Sequence, residues 1–109
     1  MCLDTPLYNA HTTSTNVLWA DVPIITLPLE KMAIRVVGSL YYATGFEEEM
    51  VENSMQKYYE KATSIAQKPA KCQALNTKVK STQMTCPLFN IVCWVQNLER
   101  AYFKMWNLY

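Results

Sequence analysis

The stretch CPLFNIVCWVQNLERAYFKMWNLY, residues 86–109, decides how the rest of the chain is read. Leu88, Ile91, Val95, Leu98, Tyr102, Met105 and Tyr109 recur at steps of three and four, the spacing of a packed helix seam. No two-residue alternation runs through the segment, so its Ile, Val and aromatic side chains do not make it a strand. Thr85 is placed to accept from the first backbone N–H groups, and Pro87 is tolerated in a first turn whose donors lack helical partners. A second apolar row, Phe89, Val92, Phe103 and Trp106, lies beside the seam. Together the two rows cover roughly 200° of the helix, against the roughly 100° stripe of an ordinary surface helix. The expectation is a helix over 86–108, buried on two sides.

Upstream, Gly45 breaks the chain, and Thr44 with Glu47 three residues on forms a capping-box pattern. Glu47, Glu48 and Glu49 suit the positive end of a helix dipole. Val51, Met55, Tyr58, Ala62 and Ile65 then hold a seam, which predicts a helix over 46–67 ended by Pro69. Over 28–43, Leu29, Met32, Ala33, Val36 and Leu40 keep helical spacing. The β-branched Ile34, Val36 and Val37, with Gly38, also fit a strand, and the helix is preferred. Residues 68–84 are polar and read as a loop. In residues 1–27, Pro6, Pro23 and the run His11–Asn16 argue against regular helix, while Val22, Ile24, Ile25 and Leu27 suit a short extended segment. The predicted fold class is all-α. A small helical bundle of two long helices and one shorter one occupies 28–109, and an extended Pro-containing N-terminal arm occupies 1–27.

Composition narrows the function. Half of the 109 residues are hydrophobic and only 17% are charged, below the usual charged share of about 25%. Apolar groups in excess of what a small core hides tend to sit in an interface. A net charge of +1 supplies no strong field for nucleic acid or an anionic membrane. The stretch Lys57–Lys80 carries six lysines and one acid, but reads as a solvated surface, so no nucleic acid is expected. No early apolar run resembles a signal peptide. The longest apolar window, 32–46, carries Arg35 and falls short of the roughly twenty residues that span a bilayer. Intracellular or organellar placement is favoured over secretion, with peripheral membrane contact still open.

Cys2, Cys72, Cys86 and Cys93 form no closely spaced pair of the zinc-binding kind. Cys86 and Cys93 are separated by about 10 Å along one helix and cannot bond. Cys72 with Cys86 is the sterically allowed disulfide, and free buried thiols are the other reading. His11 stands alone in a polar run, with no nucleophile or acid near it in sequence to make a catalytic pair. The acids Glu47 to Glu52 are explained by the helix start, and no phosphate loop or dinucleotide fingerprint occurs. These features predict no enzyme, no cofactor and no metal. Glu99 falls inside the apolar arc of the last helix, where a carboxylate needs a partner.

The leading functional expectation is a non-catalytic accessory subunit of a multiprotein assembly, such as a mitochondrial or other organellar membrane complex. Its partners would be other protein subunits, met through Phe89, Glu99, Phe103 and Trp106. The alternative is a secreted, cytokine-like helical ligand stapled by Cys72–Cys86.

Overall fold

A computed structural model describes residues 1–109. The molecule is mostly helical, with six α-helices ordered around a minimal parallel sheet. Strand β1 (Cys2–Leu3) pairs in parallel with β2 (Ile24–Ile25), Cys2 opposite Ile24 and Leu3 opposite Ile25. Helix α1 (Thr12–Trp19) makes the crossover between them. Beyond β2 the parallel pairing continues as a single bridge between Thr26 and Val51. Thr26 N donates to Met50 O at 3.1 Å and Glu52 N donates to Thr26 O at 2.9 Å. Three extended pieces with helices between them form a βαβαβ arrangement, the half-unit of doubly wound sheets.

The run from Pro23 to Leu27 is buried throughout, as an internal parallel strand with both faces covered requires. Residues 1–27 are therefore no extended arm. They supply two strands, a helix and part of the core, where Leu18, Ile24 and Ile25 pack with Val37, Tyr41, Phe46, Met50, Ile65 and Val79. After α1 the chain reverses at Asp21, whose φ of 60° is the left-handed conformation that Asp adopts more readily than most residues.

The expected helix over 28–43 begins later. Leu27 and Pro28 run on from the strand, a 3-10 turn covers Met32–Ile34, and α2 covers Val36–Thr44. Gly45, at φ 80°, closes α2 in the left-handed conformation that glycine takes without strain. The expected helix over 46–67 is split into α3 (Glu47–Met50) and α4 (Met55–Gln67). Val51 leaves the helix because its backbone is drawn into the bridge with Thr26, and the Ser54 side chain restarts it by accepting from Lys57 N at 3.3 Å. Pro69 starts a helix rather than ending one. It is the first residue of α5 (Pro69–Thr82), in the stretch read as a loop, where its missing N–H costs nothing. A 3-10 turn, Pro87–Phe89, precedes α6 (Ile91–Asn107), which is capped by Asn90 and not by Thr85. No residue of α6 is buried, so its two apolar rows lack the two covering surfaces expected for them.

Asp4 joins the layers. Its side chain is almost wholly buried, yet no Lys or Arg neutralises it. Oδ1 accepts from Ala10 N at 3.0 Å, and Oδ2 accepts from the Thr26 hydroxyl at 2.7 Å. The Tyr58 hydroxyl donates to the Asp4 carbonyl at 2.7 Å, tying α4 to the same point. Tyr41 is fully buried, and its oxygen accepts from Ile24 N at 2.6 Å. Desolvation pushes the Tyr41 phenol well above its ordinary 10.0, with the charges of Cys2 and Asp4 adding to the rise against that hydrogen bond.

Two outcomes follow. Asp4→Ala strips the acceptor from a half-buried N–H and a buried hydroxyl, and should cost about 2 kcal/mol in chemical denaturation. For Tyr41, a raised folded value means that stability is fully present below the unfolded value and is lost as pH rises past it. Unfolding free energy should therefore fall from about pH 10 upward. In Tyr41→Phe the fall should be shallower, from a lower starting stability.

Candidate functional site

The carboxyl ends of β1 and β2 lie on one side of the molecule, and the start of α1 opens there. In open parallel sheets, ligands bind at this edge, where helix N-termini point outward. The β1–α1 loop, Asp4–His11, is short of regular structure but tightly held. Asn9 is buried, and its backbone N donates to Ala33 O at 3.0 Å. Its side-chain oxygen accepts from Val37 N at 3.4 Å, and its Nδ2 donates to Thr5 O at 3.2 Å. Ser14, also buried, donates through Oγ to His11 O at 2.7 Å, and its backbone N donates to the same carbonyl at 3.2 Å. The loop is thereby anchored to α2 at one end and to α1 at the other.

What remains open is the first turn of α1. His11, Thr12 and Thr13 are exposed. No side chain caps this end, and no acidic residue lies in its first turn. With Ser14 N already bonded to the His11 carbonyl, the Thr12 and Thr13 N–H groups are the first-turn donors left over, and the helix dipole puts a partial positive charge beside them. The His11 ring packs on Tyr8, with centroids 4.8 Å apart, and its Nε2 lies 3.4 Å from Ala33 O. Two exposed threonines with their backbone N–H groups and the His11 ring are therefore adjacent at this helix start. The arrangement suits an anion. It contains no paired nucleophile and base.

A cleft of about 490 Å³ is lined by Pro28, Glu30, Met32, Arg35, Ser39 and Tyr42. Two acids of the Glu47–Glu52 cluster are held in ion pairs: Glu52 with Lys61 at 2.5 Å, and Glu49 with Lys78. Two lysines of the Lys57–Lys80 stretch are thus answered within the chain. No helix is long and apolar enough to cross a membrane. All four cysteines, Cys72 and Cys86 included, are free thiols.

The residues read from sequence as a partner surface do not gather at the α1 edge. Phe89 faces inward, edge-on to Trp19 at 5.0 Å. Glu99, Phe103 and Trp106 share a shallow exposed groove with Tyr102 on α6. In sequence the α1 edge is inconspicuous, because His11 has no nucleophile or acid beside it and the Thr/Ser run that follows does not resemble a helix start. The available signal was a polar Thr/Ser run between two short apolar segments, Cys2–Leu3 and Ile24–Leu27.

Comparison with known proteins bears on what this edge serves. The model of glycosyl transferase family 41 matches residues 1–98. The probable UDP-N-acetylglucosamine-peptide N-acetylglucosaminyltransferase SEC of Arabidopsis thaliana is 60% identical over 107 residues, which are 98% of this chain and 11% of that protein. The UDP-N-acetylglucosamine-peptide N-acetylglucosaminyltransferase of Caenorhabditis elegans is 34% identical over 109 residues, 100% of this chain and 9% of its own. The probable enzyme of this kind named SPINDLY in Petunia hybrida is 29% identical over 107 residues. The chain thus spans about a tenth of the length of these relatives.

These matches overturn the expectation of a non-catalytic accessory subunit and the reading as no enzyme, and they give the secreted-ligand alternative no support. The lack of a side-chain catalytic motif does not exclude a segment of a longer enzyme. The chain belongs to glycosyl transferase family 41.

Proposed function

We propose that these residues form the nucleotide-diphosphate cradle of a transferase that moves N-acetylglucosamine from UDP to a peptide. The substrates follow from the names of the relatives. The observation that carries the reading is the uncapped, acid-free N-terminus of α1 at the carboxyl edge of a parallel sheet. A diphosphate placed there accepts from first-turn N–H groups and from the hydroxyls of Thr12 and Thr13, and gains from the helix dipole. When the bond from sugar to phosphate breaks, negative charge grows on the departing phosphate oxygen. Donors already fixed in place stabilise that charge without reorganising. The hold of Asp4, Asn9 and Ser14 on the loop supplies that fixity. His11 borders the same point, its ring steadied by Tyr8 and the Ala33 carbonyl.

In this reading the residues bind and orient the donor, and the acceptor peptide is handled by other parts of the longer enzyme. Thr13→Glu puts a carboxylate where the diphosphate would sit, on an exposed residue that the core does not use. UDP affinity, measured by calorimetry on the intact transferase, should fall at least about tenfold, equal to roughly 1.4 kcal/mol, with the melting temperature unchanged. An unaltered affinity would place the diphosphate elsewhere.

A further inference from the structure

We infer, on the reading of the α1 start as the diphosphate cradle, that Tyr8 is a positioning residue for His11. Its ring holds the imidazole in the orientation that meets the diphosphate. His11 immediately precedes α1, so its side chain borders the Thr12 and Thr13 N–H groups by connectivity alone. Connectivity does not fix the ring. An exposed histidine turns about two side-chain torsions, and a ring that the ligand itself must order costs affinity.

Two contacts remove that freedom. The Tyr8 ring lies against the imidazole, with centroids 4.8 Å apart and planes inclined by 31°. Nε2 of His11 lies 3.4 Å from the Ala33 carbonyl oxygen, which also accepts from Asn9 N at 3.0 Å. That oxygen has two lone pairs and serves both donors. A carbonyl only accepts, so Nε2 is the nitrogen that carries the proton there. Nδ1 is left over, and in the imidazolium it is the N–H that a phosphate oxygen can accept from.

At 3.4 Å the bond to Ala33 is long and cannot hold the ring by itself. Tyr8 can, because its backbone is fixed on both sides. Its carbonyl accepts from the Thr5 hydroxyl across the turn that contains Pro6. The next residue, Asn9, is buried and bonded to Ala33 and Val37. The Tyr8 ring itself is 61% exposed and takes no part in the core, so its contact with His11 is the packing it has to offer. A core residue would be explained by the fold. Tyr8 is explained by the histidine it orders.

A double-mutant cycle on the intact transferase, with UDP affinity read by calorimetry, tests the coupling. Tyr8→Ala should weaken UDP binding about fivefold, the size of effect that an aromatic pair supplies. Tyr8→Phe keeps the ring and should stay within twofold of the parent. His11→Ala should weaken binding at least as much as Tyr8→Ala. In the His11→Ala background, Tyr8→Ala should then change the affinity by less than twofold, because the ring it orders has gone. Should Tyr8→Ala lower the melting temperature, Tyr8→Leu, which keeps bulk without the aromatic face, takes its place in the cycle. An unchanged affinity in Tyr8→Ala or in His11→Ala would overturn the inference. So would a Tyr8→Phe enzyme as weak as Tyr8→Ala, or a full fivefold loss retained in the His11→Ala background. Thr13→Glu in the same series separates the two claims. If it weakens binding while Tyr8→Ala does not, the cradle stands and the role of Tyr8 falls. If it leaves binding unaltered, the cradle itself is misplaced.

Discussion

A carboxylate sealed from water is stable only if hydrogen bonds replace the solvent it has lost. The Asp4 carboxylate meets that condition with two donors, the Ala10 N–H before α1 and the Thr26 hydroxyl at the end of β2, while the Tyr58 hydroxyl of α4 bonds the backbone carbonyl of the same residue. None of these elements can move far without exposing or orphaning a buried polar group. With strands of only two residues, the sheet has little ladder to hold its register, and the network supplies what the ladder lacks. The position of the first turn of α1 follows from it.

That constraint explains which parts of the fold were legible. α4 and α6 show in the sequence because Met55, Tyr58, Ala62 and Ile65, and Ile91, Val95, Leu98 and Tyr102, keep helical spacing through long segments. The break at Val51 is invisible, since its seam position suits a helix and only the distant Thr26 draws it into extended pairing. α1 is hidden for a different reason. Its first five residues are Thr, Thr, Ser, Thr and Asn, poor helix formers, and it is held by Ser14 and Leu18 facing a core that no local pattern announces. α5 carried a usable signal in Cys72, Leu75 and Val79 at steps of three and four, outweighed by its lysines.

The site was less legible than the fold. An anion cradle made of backbone N–H groups has no side-chain signature, and the residues that hold it in place, Asp4, Asn9 and Ser14, look like ordinary loop polars in a sequence. The apolar face of α6 was legible in the sequence, but not its exposure, because an amphipathic pattern looks alike whether or not a surface lies against it. The absence of a catalytic motif misled because this segment spans only about a tenth of its relatives.

The central claim is that the start of α1 receives the diphosphate. Amide chemical shifts recorded with rising UDP test it residue by residue. The account predicts that the Thr12 and Thr13 amides move most, followed by His11 and Ser14, with α6 unchanged. Shifts centred on the cleft of Glu30, Arg35 and Tyr42, with Thr12 and Thr13 still, would contradict it.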